Sequence, residues 1–278
     1  WLIDLVQQYG TVVPPWYAGQ CPLIDGDRVI LAPGGPDVLM TALDAKTGET
    51  VWETPNPHGW KMTHSSIMPM TIGGRKTFVY CASGGVVGVD AETGELLWDT
   101  DAWKVSMATV PSPLVIDERR VFFCGGYNSG ALMLELEPTD DGKFSPNVLY
   151  RLKPKEFSST QQTPILYEGH IYGVREADKQ LVCLDLDGKE VWASGSQFVF
   201  GLGPYMVVQD KIYAMDDEGL LTICELTPEA FRLVGQYQLL EGHDSWGPMT
   251  MVAGRLIVRD MTQMACYDMR AEAATDDE

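Results

Sequence analysis

The chain has 278 residues, 45% of them hydrophobic, enough to bury the core of a full domain. Its formal net charge is −19, and its 20 Lys and Arg residues form no stripe, so a phosphate backbone would be repelled and nucleic acid is not an expected partner. No apolar run approaches a membrane span, because Gly and Pro interrupt the best candidate at 198–208.

The chain opens on Trp1-Leu2-Ile3-Asp4-Leu5, which reads as an orphan strand. Six similar units follow, starting near residues 20, 65, 111, 161, 203 and 247. Each begins with a small residue, a proline and an apolar segment: Cys21-Pro22-Leu23, Ser112-Pro113-Leu114, Thr163-Pro164-Ile165, Gly203-Pro204-Tyr205 and Gly247-Pro248-Met249. The second unit has Ser65-Ser66-Ile67 instead. A polar turn and a β-branched or aromatic strand come next, as at 25–31, 117–123, 168–174, 209–215 and 253–259. Then come a Gly-rich or charged loop, a third strand, a tight turn and a fourth strand. No segment has a helical period. The sixth unit ends at 266–269 with no fourth strand of its own, and the acidic, apolar-poor stretch 270–278 is expected to fray.

The third and fourth strands carry the clearest repeat. LDAKTGETVW at 43–52 returns as VDAETGELLW at 89–98 and as LDLDGKEVW at 184–192. Trp52 and Trp98 are 46 residues apart, and Trp98 and Trp192 are 94 apart, twice 47, so a degenerate copy is expected to end near Tyr150. Gly48, Gly94 and Gly188 suit the positive φ of a tight hairpin, and Asp44, Asp90 and Asp185 sit where a carboxylate can accept from turn amides. Trp52, Trp98 and Trp192 then occupy one fixed place on the fourth strand, each with roughly 150–250 Å² to bury. They are expected to pack between neighbouring units.

Four strands per unit of about 45 residues, repeated, predict an all-β fold: a β-propeller of four-stranded antiparallel blades, six of them visible, forming one domain over 1–269. The DAxTGxxxW signature behind an (S/T)P-hydrophobic strand resembles the PQQ-like, or quinoprotein-alcohol-dehydrogenase-like, propeller repeat over nearly the whole chain. Two readings of the ring stay open. Either Trp1–Leu5 completes the last blade, or the chain is part of an eight-bladed ring, as the resemblance implies, and Trp1–Leu5 belongs to another blade.

In such a ring the loops before the first strands and those between second and third strands share one face. The candidates there for ligand contact are Trp16, Gln20, His64, Asn128, Gln161, Arg175, Trp246 and Arg259. Each has a structural reading beside the functional one. Trp16 and Trp246 can cover the first and last blades, Arg175 and Arg259 can pair with Glu176 and Asp260, and Asn128 can serve its Gly-rich loop. His64 stands beside Ser65, but no acid is placed to complete a triad. The six cysteines, one per unit, are read as small buried hydrophobes, with Cys21 outside an apolar strand.

The resemblance implies two functions. The first is a non-catalytic binding or assembly scaffold, as in the family's outer-membrane assembly lipoproteins: a bacterial, periplasmic or exported monomer that holds a protein or small molecule at the loop face. The alternative is a PQQ- and Ca²⁺-dependent alcohol or sugar dehydrogenase, in which the quinone lies over a Trp beside a disulfide of adjacent cysteines. No two cysteines are adjacent here. No catalytic residue, metal ligand or cofactor is assigned from the residues themselves.

Overall fold

The computed structural model describes residues 1–270, so the acidic stretch expected to fray lies outside the described residues beyond Arg270. The six repeats deliver their strands in chain order. The first has β1 to β4 at Leu23–Asp25, Arg28–Leu31, Val38–Asp44 and Thr50–Pro55. The second has β5 to β8 at Met68–Ile72, Arg75–Ala82, Gly85–Asp90 and Leu96–Thr100, and the third β9 to β12 at Leu114–Val115, Arg120–Gly125, Gly130–Pro138 and Phe144–Leu152. The fourth has β13 to β16 at Ile165–Tyr167, His170–Val174, Leu181–Asp185 and Glu190–Ala193. The fifth has β17 to β20 at Tyr205–Val208, Lys211–Met215, Leu220–Glu225 and Leu233–Gln238. The sixth has only β21 to β23 among the described residues, at Thr250–Val252, Arg255–Arg259 and Met264–Asp268.

The described residues fall into two compact units, Trp1–Ala177 with Leu186–Gly188, and Asp178–Asp185 with the residues from Lys189 on. In the first unit the sheets β1–β4, β5–β8 and β9–β12 are antiparallel meanders. Residues such as Ile30, Met40, Phe78 and Val87 fill the space between the first two sheets; Val79, Val86, Phe123 and Leu132 do the same between the second and third. In the second unit Leu221, Leu240, Leu256 and Val258 lie between β17–β20 and β21–β23. Sheet on sheet, with both faces of the middle sheets covered, is why β6 and β7 read as continuous apolar runs rather than alternating ones.

The motif turn acts as its chemistry requires. Asp44 Oδ1 accepts from the amides of Lys46 at 2.9 Å and Thr47 at 2.8 Å; Asp90 Oδ1 accepts from Glu92 and Thr93, both at 2.9 Å. Asp185 Oδ1 accepts from Lys189 at 2.8 Å. Gly48, Gly94 and Gly188 have φ of 76°, 75° and 80°. The positive φ is half the reason for glycine. A Cβ at Gly94 would lie 2.6 Å from the Trp52 ring, and one at Gly188 would lie 2.7 Å from Tyr150, so the aromatic of one repeat rests on the turn of the next. Trp52 Nε1 also donates to the Ala91 carbonyl at 3.2 Å, and Trp192 Nε1 to Thr227 at 3.0 Å. Tyr150 thus stands where the missing beat of the repeat was expected.

Two regularities were not read from the sequence. Each third-to-fourth strand hairpin of the first five repeats shifts register, at Ala42/Leu43, Gly88/Val89, Met133/Leu134, Cys183/Leu184 and Ile223/Cys224, and in the first four the aromatic pairs with the residue at the shift. In the first two repeats the basic residue at the start of the second strand also clamps the next turn. Arg28 donates to the Ala91 carbonyl at 3.0 Å and to Glu92 at 3.1 Å; Arg75 binds Asp90 at 2.7 Å and the Gly142 carbonyl at 2.9 Å. The signal was present as Arg28, Arg75, Arg120, His170, Lys211 and Arg255, one per repeat.

Two expectations need correction. Residues 1–5 form no strand: Asp4 caps the short helix α1, Leu5–Tyr9, by accepting from Val6 at 2.9 Å and Gln7 at 3.2 Å, and Gly10 ends it at φ 66°. Trp1 lies against Gly48 and donates to the Ala45 carbonyl at 3.2 Å, the contact that Trp52 makes with the second turn. Cys266 is exposed, like Cys21, because alternate residues of β23 face outward; Cys81, Cys124, Cys183 and Cys224 are buried.

Candidate functional site

The loops that carry the expected site residues are held by short polar latches between the segment before the first strand and the loop after the second. In the first repeat the latch is Gln20. Its side chain accepts from the Ala32 amide at 2.8 Å and donates to the Tyr80 hydroxyl at 3.2 Å. In the second it is Ser83, whose hydroxyl accepts from the Lys61 amide at 2.8 Å. In the fourth, Glu176 accepts from the Thr160 hydroxyl at 3.1 Å and the Tyr127 amide at 3.2 Å. Asp217 accepts from the Leu202 amide at 2.8 Å in the fifth, and Asp260 from Gly242 at 3.1 Å in the sixth. Burial opposes the charge on Asp260, but Gln263, the Thr262 hydroxyl and two turn amides outweigh it and hold the carboxyl well below its ordinary range.

A second device explains the (S/T)P signature. The Cys21 amide donates to the Ser66 hydroxyl at 3.1 Å, the Ser66 amide to Ser112 at 3.0 Å, and the Ser112 amide to Thr163 at 2.9 Å. One hydroxyl per repeat receives the amide of the repeat before it. Gly203 and Gly247 have no side chain with which to continue the ladder.

In the first unit these devices support an apolar strap. Val12, Val13, Trp16 and Tyr17 are exposed, Tyr17 by 83%. Trp16 and Tyr17 are consecutive left-handed residues, φ 62° and 68°, a conformation that costs side chains of this size about 1–3 kcal/mol each. The strap runs against His64, whose ring packs on Gly19. Burial lowers the imidazole pKa below 6.5, and the nearby Pro15 carbonyl only partly offsets this. Beside the strap lies a groove of about 240 Å³ lined by Val12–Pro15, Lys61–His64, Ser83 and residues 105–109. Met62, Thr63, Val105 and Ala108 are buried beneath it, and Met107 is 58% exposed.

Of the other expected residues in this unit, Asn128 is exposed at φ 63°, in a turn with Tyr127 at φ 57°. Arg175 is buried, with a long hydrogen bond of 3.4 Å to the Glu156 carbonyl, and Gln161 is half-buried beside the Thr160 latch. Gln20 is engaged by the fold itself, a role its place in a loop did not reveal.

In the second unit Trp246 is held by its indole N–H, which donates to Asp217 Oδ1 at 2.8 Å, and its ring stays 42% exposed. Arg259 is exposed and lies over Gly247, where a Cβ would come within 2.6 Å of its Nε; it has no hydrogen-bond or ion-pair partner among the described residues. Its neighbour Asp260 serves its own turn. The structure therefore sets His64 against Gly19 of the strap that carries Trp16 in the first unit, and Arg259 over Gly247, the residue after Trp246, in the second. Val12, Val13 and Met107 were missed in sequence, because exposure of an apolar residue in a loop has no local signature.

A quinone with calcium would need oxygen ligands around the metal and an aromatic platform. Among the described residues no group of three or more His, Cys, Asp or Glu is placed to hold a metal, and Asn128 is exposed in a turn where the Glu176 carboxylate is engaged by the Tyr127 amide. No helix among the described residues is long and apolar enough to cross a membrane.

A family model described as outer membrane protein assembly factor BamB matches residues 1–194. The crystal structure of BamB from Moraxella catarrhalis is similar, with a TM-score of 0.59 at 18% identity, over 88% of this chain and 67% of that one. The β-propeller domain of Cps50 (Swd1) from Myceliophteria thermophila gives a TM-score of 0.60 at 11% identity, over 90% of this chain and 82% of that one. At these identities the two structures establish the fold, a β-propeller. Among curated proteins, none matches the chain.

Proposed function

The chain belongs to the family of the outer membrane protein assembly factor BamB, and from that premise we propose that it is a non-catalytic propeller that binds a partner protein through its loop face. The observation that carries the reading is a division of labour among residues. The recurring Trp, Gly, Asp and Arg side chains are taken up in packing, turns and clamps. The loop face, where the repeats differ, exposes large apolar groups: Val12, Val13, Trp16, Tyr17 and Met107 in the first unit, and Trp246 and Met261 in the second. Exposed apolar groups on polar-latched loops are a mark of an interaction surface.

The same family points to the periplasmic side of the outer membrane as the place of action, with the chain itself a monomer. Of the expected rim residues, Trp16, Trp246 and Arg259 have exposed side chains available to a partner, while Gln20 and His64 position the loops. The test is reconstitution with PQQ and Ca²⁺ and a redox dye, with primary alcohols and sugars as substrates. Background dye reduction supports the scaffold; turnover that requires both additives overturns it.

A further inference from the structure

The groove beside the strap differs from the rest of the molecule in charge. The chain carries −19 overall, yet among the described residues no carboxylate lines this groove; its titratable side chains are Lys61 and His64, and the remaining lining is apolar or hydroxylic. Its size is that of a single side-chain anchor. About 240 Å³ is below the several hundred Å³ of an ordinary small-molecule site and above the ~150 Å³ that admits a benzene-sized group. The groove is also held open. The His64 ring packs on Gly19 of the strap, the Lys61 amide is tied to Ser83 at 2.8 Å, and the His64 amide donates to the Thr109 carbonyl at 3.1 Å, so both sides are set before anything binds.

We propose that this groove seats one aromatic or leucine side chain of an extended, acidic segment of a partner polypeptide, with a carboxylate of that segment on Lys61. The proposal rests on the scaffold reading and names the partner's chemistry. Lys61 is exposed at the rim, and the exposed Val12, Val13 and Met107 would flank the anchor. The overall negative charge disfavours the other occupants. A second copy would bring another −19, and an anionic lipid surface would repel the chain. Repulsion between the partner's acids and remote carboxylates is screened beyond about 8 Å at physiological salt, which leaves Lys61 to decide at contact.

The experiment is fluorescence anisotropy on the whole chain with three labelled peptides in one Ser/Thr frame, carrying Glu-Phe-Glu, Lys-Phe-Lys or Glu-Ala-Glu. The first should bind about tenfold or more tightly than the other two. Met107→Glu should weaken it by at least a similar factor, and Lys61→Glu should transfer the preference to the Lys-Phe-Lys peptide, both without a change in melting temperature because both side chains are exposed. Val148→Glu, on the outer strand β12, should leave binding unchanged. Equal binding of the three peptides, or indifference to Met107→Glu and Lys61→Glu, overturns the proposal. So does concentration-dependent dimerisation, or sedimentation with phosphatidylcholine vesicles, that Met107→Glu abolishes: the first assigns the groove to a second copy, the second to lipid. Dye turnover with PQQ and Ca²⁺ would instead overturn the scaffold reading, so the two failures are distinct.

Discussion

Two neighbouring junctions in the first unit are built from the same ten-residue motif and end differently. Between the first and second repeats Trp52 lies on Gly94, its indole N–H reaches the Ala91 carbonyl, and Arg28 clamps the same turn. Between the second and third, Trp98 is just as buried, but its N–H has no partner, and it lies over Gly88, its cross-strand neighbour. Gly142, in the turn that should receive it, has open space where a Cβ would stand, although Arg75 reaches its carbonyl, and a groove of about 580 Å³ remains beside Trp98 and residues 139–141. A motif copy supplies its Trp to one junction and its turn to the junction before. The third repeat lacks the Asp-Ala-x-Thr-Gly turn, so the intact copy at 89–98 meets an unmatched partner.

The comparison can be broken at several points. Trp52→Ala should cost the most, about 3–5 kcal/mol in urea denaturation, because it leaves a cavity and an unanswered carbonyl; Trp98→Ala should fall at or below the lower end of that range. An equal or larger loss at Trp98 would mean the open junction is as well packed as the closed one. Gly94→Ala should cost about 2–3 kcal/mol, since it meets both the positive φ and the Trp52 ring, whereas Gly142→Ala, at φ 79° in open space, should cost about 1 kcal/mol. Trp52→Phe should lose about 1 kcal/mol with its hydrogen bond, while Trp98→Phe should be neutral or slightly stabilising, because it removes a buried donor that has no acceptor.

The smallest effect is one of pH. Burial opposes the charge on Asp90, but Arg75, the Thr93 hydroxyl and the turn amides outweigh it and hold the carboxyl below 3.8. Its contribution is complete above that value and is lost as the pH falls through the folded pKa. Asp90→Asn should therefore flatten the acid limb of a melting-temperature profile. At the other end, burial pushes Tyr80, Cys81 and Cys224 up to about 12 and raises Cys124 as well. Their folded forms keep protons that the unfolded chain gives up from about pH 9, so stability should decline from there toward pH 12. A flat profile over that range would show these groups to be in contact with solvent.

Much of the repeat was legible because its causes are local. Asp44 and Asp90 answer amides two and three residues away, and Gly48 and Gly94 bend the chain where they stand, so spacing alone reveals them. Even the beat near Tyr150 could be placed by counting. The short helix escaped because five residues are too few to display a period, and the Asp4 cap that starts it also fits the end of a strand. The clamps of Arg28 and Arg75 escaped for another reason: the carbonyls they reach in the following repeat lie more than 60 residues on, although a basic residue recurs at the same place in each repeat.

For the candidate site the balance is reversed. Periodicity marked which loops share a face, because side-chain alternation and turn chemistry are carried along the chain itself. It did not say that Gln20 would be consumed in a latch, that Asp217 would hold Trp246, or that Val12, Val13 and Met107 would flank a groove free of carboxylates. Those outcomes depend on which distant groups meet once six repeats have packed, and hydrogen bonding, burial and charge at a point in space have no counterpart in the spacing of residues along a chain.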